Sequence, residues 1–220
     1  MSLWIKICGN TSVEDALLAA NAAADAVGFV FAPSPRRVTP AQVAEIVPHL
    51  PATIEKIGVF VDTPFAEIEA AVRACGLTGV QLHSDAGPEL PAQLRGTLGS
   101  SLRILRVVHF GPEALQQATA IAQDRNIDGV LVDSRTATAV GGTGIRFDWA
   151  AAEGLFRESE LHTHGLIVAG GLAPANVAEA INTLRPWGVD VVSGVEAAPG
   201  RKDASKVRAF IANARAAHRL

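Results

Sequence analysis

Cys8 is the residue of this sequence best suited to chemistry, because it ends an apolar run, Trp4-Ile5-Lys6-Ile7-Cys8, that stops at Gly9-Asn10. A thiol at the mouth of a strand is placed for catalysis. A cysteine is equally a small apolar residue that fills space in a core. The residue type alone leaves both interpretations open, and the rest of the chain must decide between them.

Polar and reactive side chains gather at the ends of the predicted strands, whereas the strand interiors are aliphatic. In chain order the strand ends are Cys8, Phe31, Val61, His83, His109, Asp133, Ala169-Gly170-Gly171 and Ser193-Gly194. If the strands are parallel and close into a barrel, their carboxyl ends meet at one mouth, which is where such barrels carry their active sites. Cys8 would then share that mouth with Asp133.

Short apolar, β-branched runs alternate with helical patterns to the end of the chain. The eight predicted strands are Trp4 to Cys8, Ala26 to Phe31, Lys56 to Val61, Gly79 to His83, Arg103 to Phe110, Gly129 to Asp133, Leu166 to Ala169 and Val189 to Ser193. Runs that are apolar through most of their length are typical of buried parallel strands. The pattern favours an α/β fold, a (β/α)8 TIM barrel, with a doubly wound open sheet as the alternative.

Helical periodicity fills the gaps between these strands. Apolar residues recur at i, i+3, i+4 and i+7 in Val43/Ile46/Val47/Leu50, Ile68/Ala71/Val72/Cys75, Val177/Ala180/Ile181/Leu184 and Val207/Phe210/Ile211/Ala214, and further helices are predicted near Leu90 to Leu94 and Phe147 to Phe156. Cys75, on one of these stripes, is predicted to be a core residue.

Capping signals mark the predicted helix ends. Thr11 with Glu14 forms a capping-box pattern, and Thr39-Pro40 and Thr63-Pro64 place a proline at a first helical position. Gly76 is predicted to end the third helix.

Composition limits the possible classes of protein. A chain of 220 residues suits one barrel, which typically needs about 250, so residues 1–220 are expected to form a single domain. The sequence is 49% hydrophobic with a net charge of -3 and no basic tract, which argues against nucleic acid or an anionic membrane as partner.

The cysteine count and the lengths of the apolar runs indicate the cellular compartment. Two cysteines cannot build a disulfide framework. The N-terminus lacks the pattern of a signal peptide, and no run approaches the roughly 18 apolar residues of a membrane-spanning helix. We therefore expect a cytoplasmic protein.

Glycine turns follow the seventh and eighth strands. Gly170-Gly171 leads into a helix predicted to begin near Pro174, and Ser193-Gly194 follows the last strand. In barrels these two loops and a short helix often bind phosphate, because glycine admits backbone N–H groups and the helix dipole favours an anion. A Gly-Gly pair alone can simply make a tight turn, but two glycine turns on adjacent strands favour a phosphate site.

A third glycine-rich stretch, Gly141-Gly142-Thr143-Gly144, follows the sixth strand. It lacks the Lys-Ser/Thr of a Walker loop and does not fit a dinucleotide fingerprint. A lid over the mouth is the better interpretation, and Gly142 is expected to lie at the bound substrate.

Taken together, these motifs closely resemble the phosphoribosylanthranilate isomerase family over nearly the whole chain. The residues that carry the resemblance are Lys6-Ile7-Cys8-Gly9, Val27-Gly28-Phe29-Val30-Phe31 with Ser34-Pro35-Arg36, Gly58-Val59-Phe60-Val61, Val80-Gln81-Leu82-His83, Leu131-Val132-Asp133, Gly141-Gly142-Thr143-Gly144 with Phe147-Asp148-Trp149, Ala169-Gly170-Gly171-Leu172 and Val191-Val192-Ser193-Gly194-Val195-Glu196. The resemblance implies a (β/α)8 barrel of tryptophan biosynthesis that uses no cofactor and no metal. Its substrate is a phosphosugar, N-(5-phosphoribosyl)anthranilate, converted to 1-(o-carboxyphenylamino)-1-deoxyribulose 5-phosphate.

The same resemblance implies roles for two residues. An Amadori rearrangement opens an aminated ribose ring and moves a proton from C2, so it needs an acid for the ring oxygen and a base for carbon. By resemblance Asp133 is the general acid and Cys8 the general base. The pKa of the aspartate, ordinarily about 3.9, must be raised and that of the cysteine, ordinarily about 8.5, must be lowered for these roles.

Three further residues are candidates for the substrate site. By resemblance Arg36 is expected to bind the anthranilate carboxylate, which suits a planar guanidinium, whereas the adjacent Arg37 is expected to lie on the surface. His83 is expected to line the pocket, and Asp190 to orient polar groups near the eighth strand.

Other functions remain open at this point. The sister isomerase of histidine biosynthesis has a pair of aspartates at these strand ends, so Cys8 argues against it. A pentulose-phosphate epimerase needs a His/Asp metal site, to which only His83 and Asp133 could contribute. A phosphosugar-binding protein without catalysis is the third alternative, and the sequence does not distinguish a monomer from a homodimer.

Overall fold

A computed structural model of the chain describes residues 2–83, 87–133, 149–157 and 165–218. Its parallel strands are β1 Trp4–Ile7, β2 Ala26–Val30, β3 Glu55–Phe60, β4 Gly79–Leu82, β5 Arg103–His109, β6 Gly129–Asp133, β7 Gly165–Ala169 and β8 Gly188–Val191. Each strand pairs with its neighbour in the chain, and β1 pairs with β8 to close an eight-stranded barrel. The predicted (β/α)8 barrel is confirmed and the open-sheet alternative is wrong, while the assignment of residues 1–220 to one domain stays a prediction.

Helices cover the outside of this barrel. They are α1 Val13–Asn21, α2 Pro40–Ile46, α3 Phe65–Cys75, α4 Leu90–Leu98, α5 Ala114–Ala122, α6 Trp149–Arg157, α7 Val177–Leu184 and α8 Ala204–His218, with short 3-10 helices at Val47–His49 and Ser193–Val195. A small hairpin, β9 Glu196–Ala198 and β10 Arg201–Lys202, lies between β8 and α8. Among the helices in the described ranges, none is both long and apolar enough to cross a bilayer.

The core has two parts. The larger part packs the outward faces of the strands against the helix stripes, and Cys75, only 2% exposed, belongs to it as predicted. A separate cluster of strand residues, including Ile57, Leu105, Leu131 and Ile167, fills the barrel interior. This packing leaves the carboxyl ends of the strands as the place for polar side chains.

The strands agree closely with the sequence prediction, their ends differing by at most two residues. The predicted αL end of α3 at Gly76 is confirmed by its φ of 62°. Thr39 caps α2 and forms a reciprocal capping box with Gln42. Pro64, by contrast, is the N-cap of α3 rather than its first helical residue, and α7 begins at Val177, later than predicted.

The predicted capping box of α1 is wrong by one residue. Ser12 is the N-cap, and its hydroxyl accepts a hydrogen bond from the Asp15 N–H at 3.2 Å. The Thr11 hydroxyl instead donates to the Gly200 carbonyl at 2.6 Å. Both residue types are good caps, and the tertiary partner of Thr11 decides between them.

Candidate active site

Cys8 lies at the carboxyl mouth of the barrel, directly after β1, and is 3% exposed. Its N–H donates to the Val191 carbonyl at 2.9 Å, which extends the β1–β8 pairing by one residue. Its carbonyl accepts a hydrogen bond of 2.6 Å from the Lys202 ammonium. The main chain of Cys8 is therefore held from both sides.

Gly28 of β2 makes room for the Cys8 side chain. A Cβ at position 28 would lie 2.4 Å from Cys8 Sγ and 2.9 Å from Lys6 Cε. Real Cβ atoms do not approach other atoms so closely, so β2 needs a residue without a side chain at this point. Glycine at position 28 therefore leaves free the space that the Cys8 thiol occupies.

The Gly28→Ala variant is expected to lose most of its activity and to be destabilised by about 1–3 kcal/mol, as overpacked cores are. Urea denaturation and enzyme turnover measure the two effects. Gly96→Ala in α4 is the matched control, because a Cβ there meets nothing within 4 Å and helix propensity favours alanine by about 1 kcal/mol. A fully active Gly28→Ala variant would contradict the role of this contact.

Lys6 is a fully buried cation beneath Cys8. Its ammonium donates to the Gln81 carboxamide oxygen at 2.7 Å and pairs with Asp190 at 3.0 Å. A buried ammonium needs such partners to offset the loss of hydration. The Asp190 carboxylate is thus a partner of the buried Lys6 ammonium, while its expected role at the substrate site stays a prediction.

The electrostatic environment of the thiol differs from the expectation. Burial raises the pKa of Cys8 above its ordinary value, and Asp190 acts in the same direction, while Lys6 and Lys202 oppose the change. The predicted lowering of the Cys8 pKa is therefore wrong for this structure. For Lys6, burial favours the neutral amine, but the charge of Asp190 and the interaction with Cys8 outweigh it and hold the Lys6 pKa above its ordinary value.

Asp133 ends β6 at the same mouth and is 2% exposed. Its carbonyl accepts from the Phe110 N–H at 2.8 Å, and its register partner on β5 is His109. Counting around the ring through β8 and β7, β6 lies three strands from β1. The barrel therefore places Asp133 and Cys8 across the mouth from one another.

His83 and His109 follow or end neighbouring strands, with ring centroids 6.0 Å apart. Both residues are partly exposed, and the main-chain N–H of His83 donates to the Phe60 carbonyl at 3.2 Å. This position on the rim agrees with the expected supporting role of His83, which stays a prediction.

Arg36 is held by an acidic partner. Its guanidinium makes two hydrogen bonds to the Glu196 carboxylate, from Nε at 2.8 Å and from Nη2 at 2.6 Å. Burial would raise the pKa of Glu196, but the hydrogen bonds from Arg36 and the charge of Lys202 hold it below its ordinary range. Arg37 is exposed, as predicted.

The loops after β7 and β8 pack directly against each other. Gly170 and Gly171 have φ values of 81° and 64°, and Gly171 is exposed, as is Ser193. A Cβ at Gly194 would lie 1.9 Å from the Leu172 carbonyl oxygen, so only glycine fits there. The expected phosphate site at these glycines stays a prediction, and Gly142 lies outside the described residues.

The structure adds residues that the sequence patterns do not single out as site residues: Lys6, Gln81, Glu196 and Lys202. A lysine inside an apolar strand is itself a signal, because it predicts a buried cation with a partner. The pairing of Glu196 with Lys202 and Arg36 has no comparable local signal. Within the described ranges, no cluster of three or more His, Cys, Asp or Glu side chains is arranged to bind a metal ion.

A closed (β/α)8 barrel whose carboxyl mouth holds buried ionisable side chains and glycine turns has the architecture of a barrel enzyme. A family model for N-(5'-phosphoribosyl)anthranilate (PRA) isomerase matches residues 5–213. The chain belongs to this isomerase family, which confirms the resemblance found in the sequence.

Relatives with this name match over nearly their full length. The N-(5'-phosphoribosyl)anthranilate isomerase of Pelobacter propionicus is 44% identical over 94% of this chain and 93% of its own, and that of Trichlorobacter lovleyi is 42% identical over 97% and 98%. The crystal structure of phosphoribosyl anthranilate isomerase from Thermotoga maritima superposes with a TM-score of 0.82 at 35% identity, covering 97% of this chain and 99% of that one. A related structure, with a TM-score of 0.81, contains reduced 1-(o-carboxyphenylamino)-1-deoxyribulose 5-phosphate.

Proposed function

We propose that this chain converts N-(5-phosphoribosyl)anthranilate to 1-(o-carboxyphenylamino)-1-deoxyribulose 5-phosphate, with Asp133 as general acid and Cys8 as general base. The observation that carries the proposal is the placement of these two buried groups across one barrel mouth, at the ends of β6 and β1. The ligand in the related crystal structure is the reduced form of that product.

The acid step needs a protonated carboxyl beside the ribose ring oxygen. Asp133 donates its proton to that oxygen, the C1–O bond breaks, and the nitrogen lone pair forms a C1=N⁺ bond. Asp133 is 2% exposed, so bulk water is kept away from the reacting ring.

The base step moves a proton from carbon to sulfur. The Cys8 thiolate removes the C2 proton, the electron pair of that C–H bond forms C1=C2, and the iminium electrons return to nitrogen. The resulting enolamine then becomes the ketone by tautomerisation. A raised thiol pKa reduces the thiolate fraction but makes each thiolate a stronger base.

Opposite ends of the substrate carry the negative charges. The guanidinium of Arg36 supplies planar donors for the anthranilate carboxylate. At the other end, the Gly170-Gly171 and Ser193-Gly194 turns supply backbone N–H groups for the phosphate. Asp190 acts through Lys6, and His83 and Gly142 complete the proposed substrate site.

Two alternatives have less support. The sister isomerase of histidine biosynthesis would need an aspartate where Cys8 stands. A phosphosugar-binding protein without catalysis would not need an acid and a thiol buried at facing positions of the mouth. Both alternatives predict no conversion of the proposed substrate.

Turnover is the direct test of the proposed function. The purified chain is expected to convert N-(5-phosphoribosyl)anthranilate, seen as loss of substrate fluorescence, and an excess of a metal chelator is expected to leave the rate unchanged because both proposed proton carriers are side chains. Activity with the corresponding histidine-pathway aminosugar is the comparison. Absence of turnover with a folded chain would favour the binding-protein alternative.

We further propose a cytoplasmic enzyme whose partner is a small phosphosugar. Both cysteines are buried free thiols, which suits a reducing compartment. Size-exclusion chromatography with light scattering distinguishes the monomer from the homodimer.

A further inference from the structure

A continuous series of polar contacts connects the proposed base, Cys8, with Arg36, the proposed ligand of the anthranilate carboxylate. The Lys202 ammonium donates to the Cys8 carbonyl at 2.6 Å and pairs with Glu196 at 3.2 Å. The Glu196 carboxylate in turn accepts two hydrogen bonds from the Arg36 guanidinium. The backbone of the proposed base and the proposed carboxylate-binding arginine thus share one buried cation.

The hairpin after β8 brings Lys202 to this place. Lys202 lies on β10, 194 positions from Cys8 in the chain, and pairs with Glu196 of β9. Its N–H donates to the Asp15 carboxylate at 3.2 Å, which joins the hairpin to α1. The lysine side chain is completely buried, so its position is set by its partners and not by solvent.

We propose that Lys202 is a positioning residue for the isomerase reaction, fixing the Cys8 main chain directly and the Arg36 guanidinium through Glu196. The proposal rests on the proposed function, because it assigns Lys202 a purpose in that reaction. Neither Lys202 nor Glu196 needs to touch the substrate to act in this way.

Two geometric facts give the arrangement its effect. The Lys202 hydrogen bond holds the residue whose sulfur must meet C2, and misplacement of a reacting group by about 1 Å can lower a rate by about 10²-fold. The Arg36 stem passes over the loop after Cys8, with its Cδ 2.9 Å from where a Cβ at Gly9 would lie. The Arg36 side chain therefore packs against the residue that follows the proposed base.

The charge of Lys202 also acts on the thiol. The charged groups that influence Cys8 are Lys6 on β1, Asp190 on β8 and Lys202 on β10; burial raises the Cys8 pKa, and Lys202 partly offsets this. Removing the lysine charge should raise that pKa further. A lysine too distant to act on the thiol, such as Lys56 near the start of β3, would leave this titration unchanged.

Lys202→Met is the first test variant. Its kcat is expected to fall about 10- to 100-fold with a smaller change in KM, because Glu196 still holds Arg36. The rise of kcat/KM with pH, which reports the thiolate, is expected to shift to higher pH. Glu196→Gln should affect KM more than kcat, because Arg36 loses its carboxylate partner.

Two controls separate positioning from folding. Lys56→Met removes another buried lysine whose ammonium donates to main-chain carbonyls, those of Pro51 and Ala52, near the start of β3 and away from the mouth. It should lose stability but keep kcat. Lys202→Arg retains the positive charge and should keep the pH dependence near that of the unaltered chain, with part of kcat restored.

A substrate-independent measurement completes the experiment. Thiolate absorbance against pH in the Cys75→Ser background reports Cys8 alone, and Lys202→Met should raise its midpoint. If Lys202→Met folds and leaves kcat, the pH dependence and the thiolate midpoint unchanged, or if its loss merely matches that of Lys56→Met, Lys202 is structural only. If the unaltered chain converts no substrate, the proposed function fails, and the thiolate titration alone decides whether Lys202 acts on Cys8.

Discussion

Cys8→Ala is expected to lower kcat by about 10²–10⁴-fold, the range contributed by a general acid or base. The substitution removes the sulfur atom that accepts the C2 proton in the proposed mechanism. Substrate affinity should change little, because in the proposed site Arg36 and the glycine turns carry the charged contacts. Steady-state kinetics gives kcat, and binding of reduced 1-(o-carboxyphenylamino)-1-deoxyribulose 5-phosphate, the ligand of a related structure, gives affinity.

Cys75→Ser is the matched control for Cys8→Ala. Cys75 is equally buried but lies on α3, and its thiol donates to the Pro40 carbonyl at 3.3 Å, a contact that a serine hydroxyl can keep. This variant should retain kcat. A Cys8→Ala variant with a near-normal rate would show that Cys8 is not the base.

The pH dependence of the unaltered chain follows from the same assignment. A base acts in its deprotonated form, and burial raises the Cys8 pKa above its ordinary value. kcat/KM should therefore still be rising with pH near the reference thiol value of about 8.5, rather than levelling off well below it. Cys8→Ala should lack this rise.

Asp133→Asn is the second variant with a large expected effect, again about 10²–10⁴-fold on kcat. The carboxamide has nearly the shape of the acid but cannot deliver a proton to the ring oxygen. Because packing is preserved, the loss should appear in kcat with little change in the free energy of unfolding. Steady-state kinetics and urea denaturation measure the two quantities.

Asp128→Asn supplies the matched control at the opposite end of β6. The Asp128 carboxylate accepts from the Ile104 N–H at 2.7 Å and pairs with Arg95 at 2.8 Å. Its substitution should lower stability and leave kcat unchanged. Normal turnover by Asp133→Asn would require another acid, and the mechanism would have to be revised.

Local patterns predicted most of the fold because they depend on neighbours in the chain. Apolar runs ended within two residues of the observed strands, and Gly76 ended α3 because the αL conformation suits glycine. The local pattern did not predict the N-cap of α1, because two suitable capping residues are adjacent there. Thr11 and Ser12 can both cap a helix, but the hydroxyl of Thr11 donates to the carbonyl of Gly200, a residue distant in sequence, and Ser12 caps α1.

The sequence by itself determined the class of fold, the family, and the strand ends on which Cys8 and Asp133 stand, because strand periodicity and motif spacing are written locally. Only the tertiary structure decided the environment of the thiol. The pairing of β1 with β8 brings Asp190 near Cys8, and the final hairpin brings Lys202 to the Cys8 carbonyl. Burial outweighs the neighbouring cations and raises the Cys8 pKa. Burial and charge at a point depend on distant segments meeting there, and no local pattern contains that information.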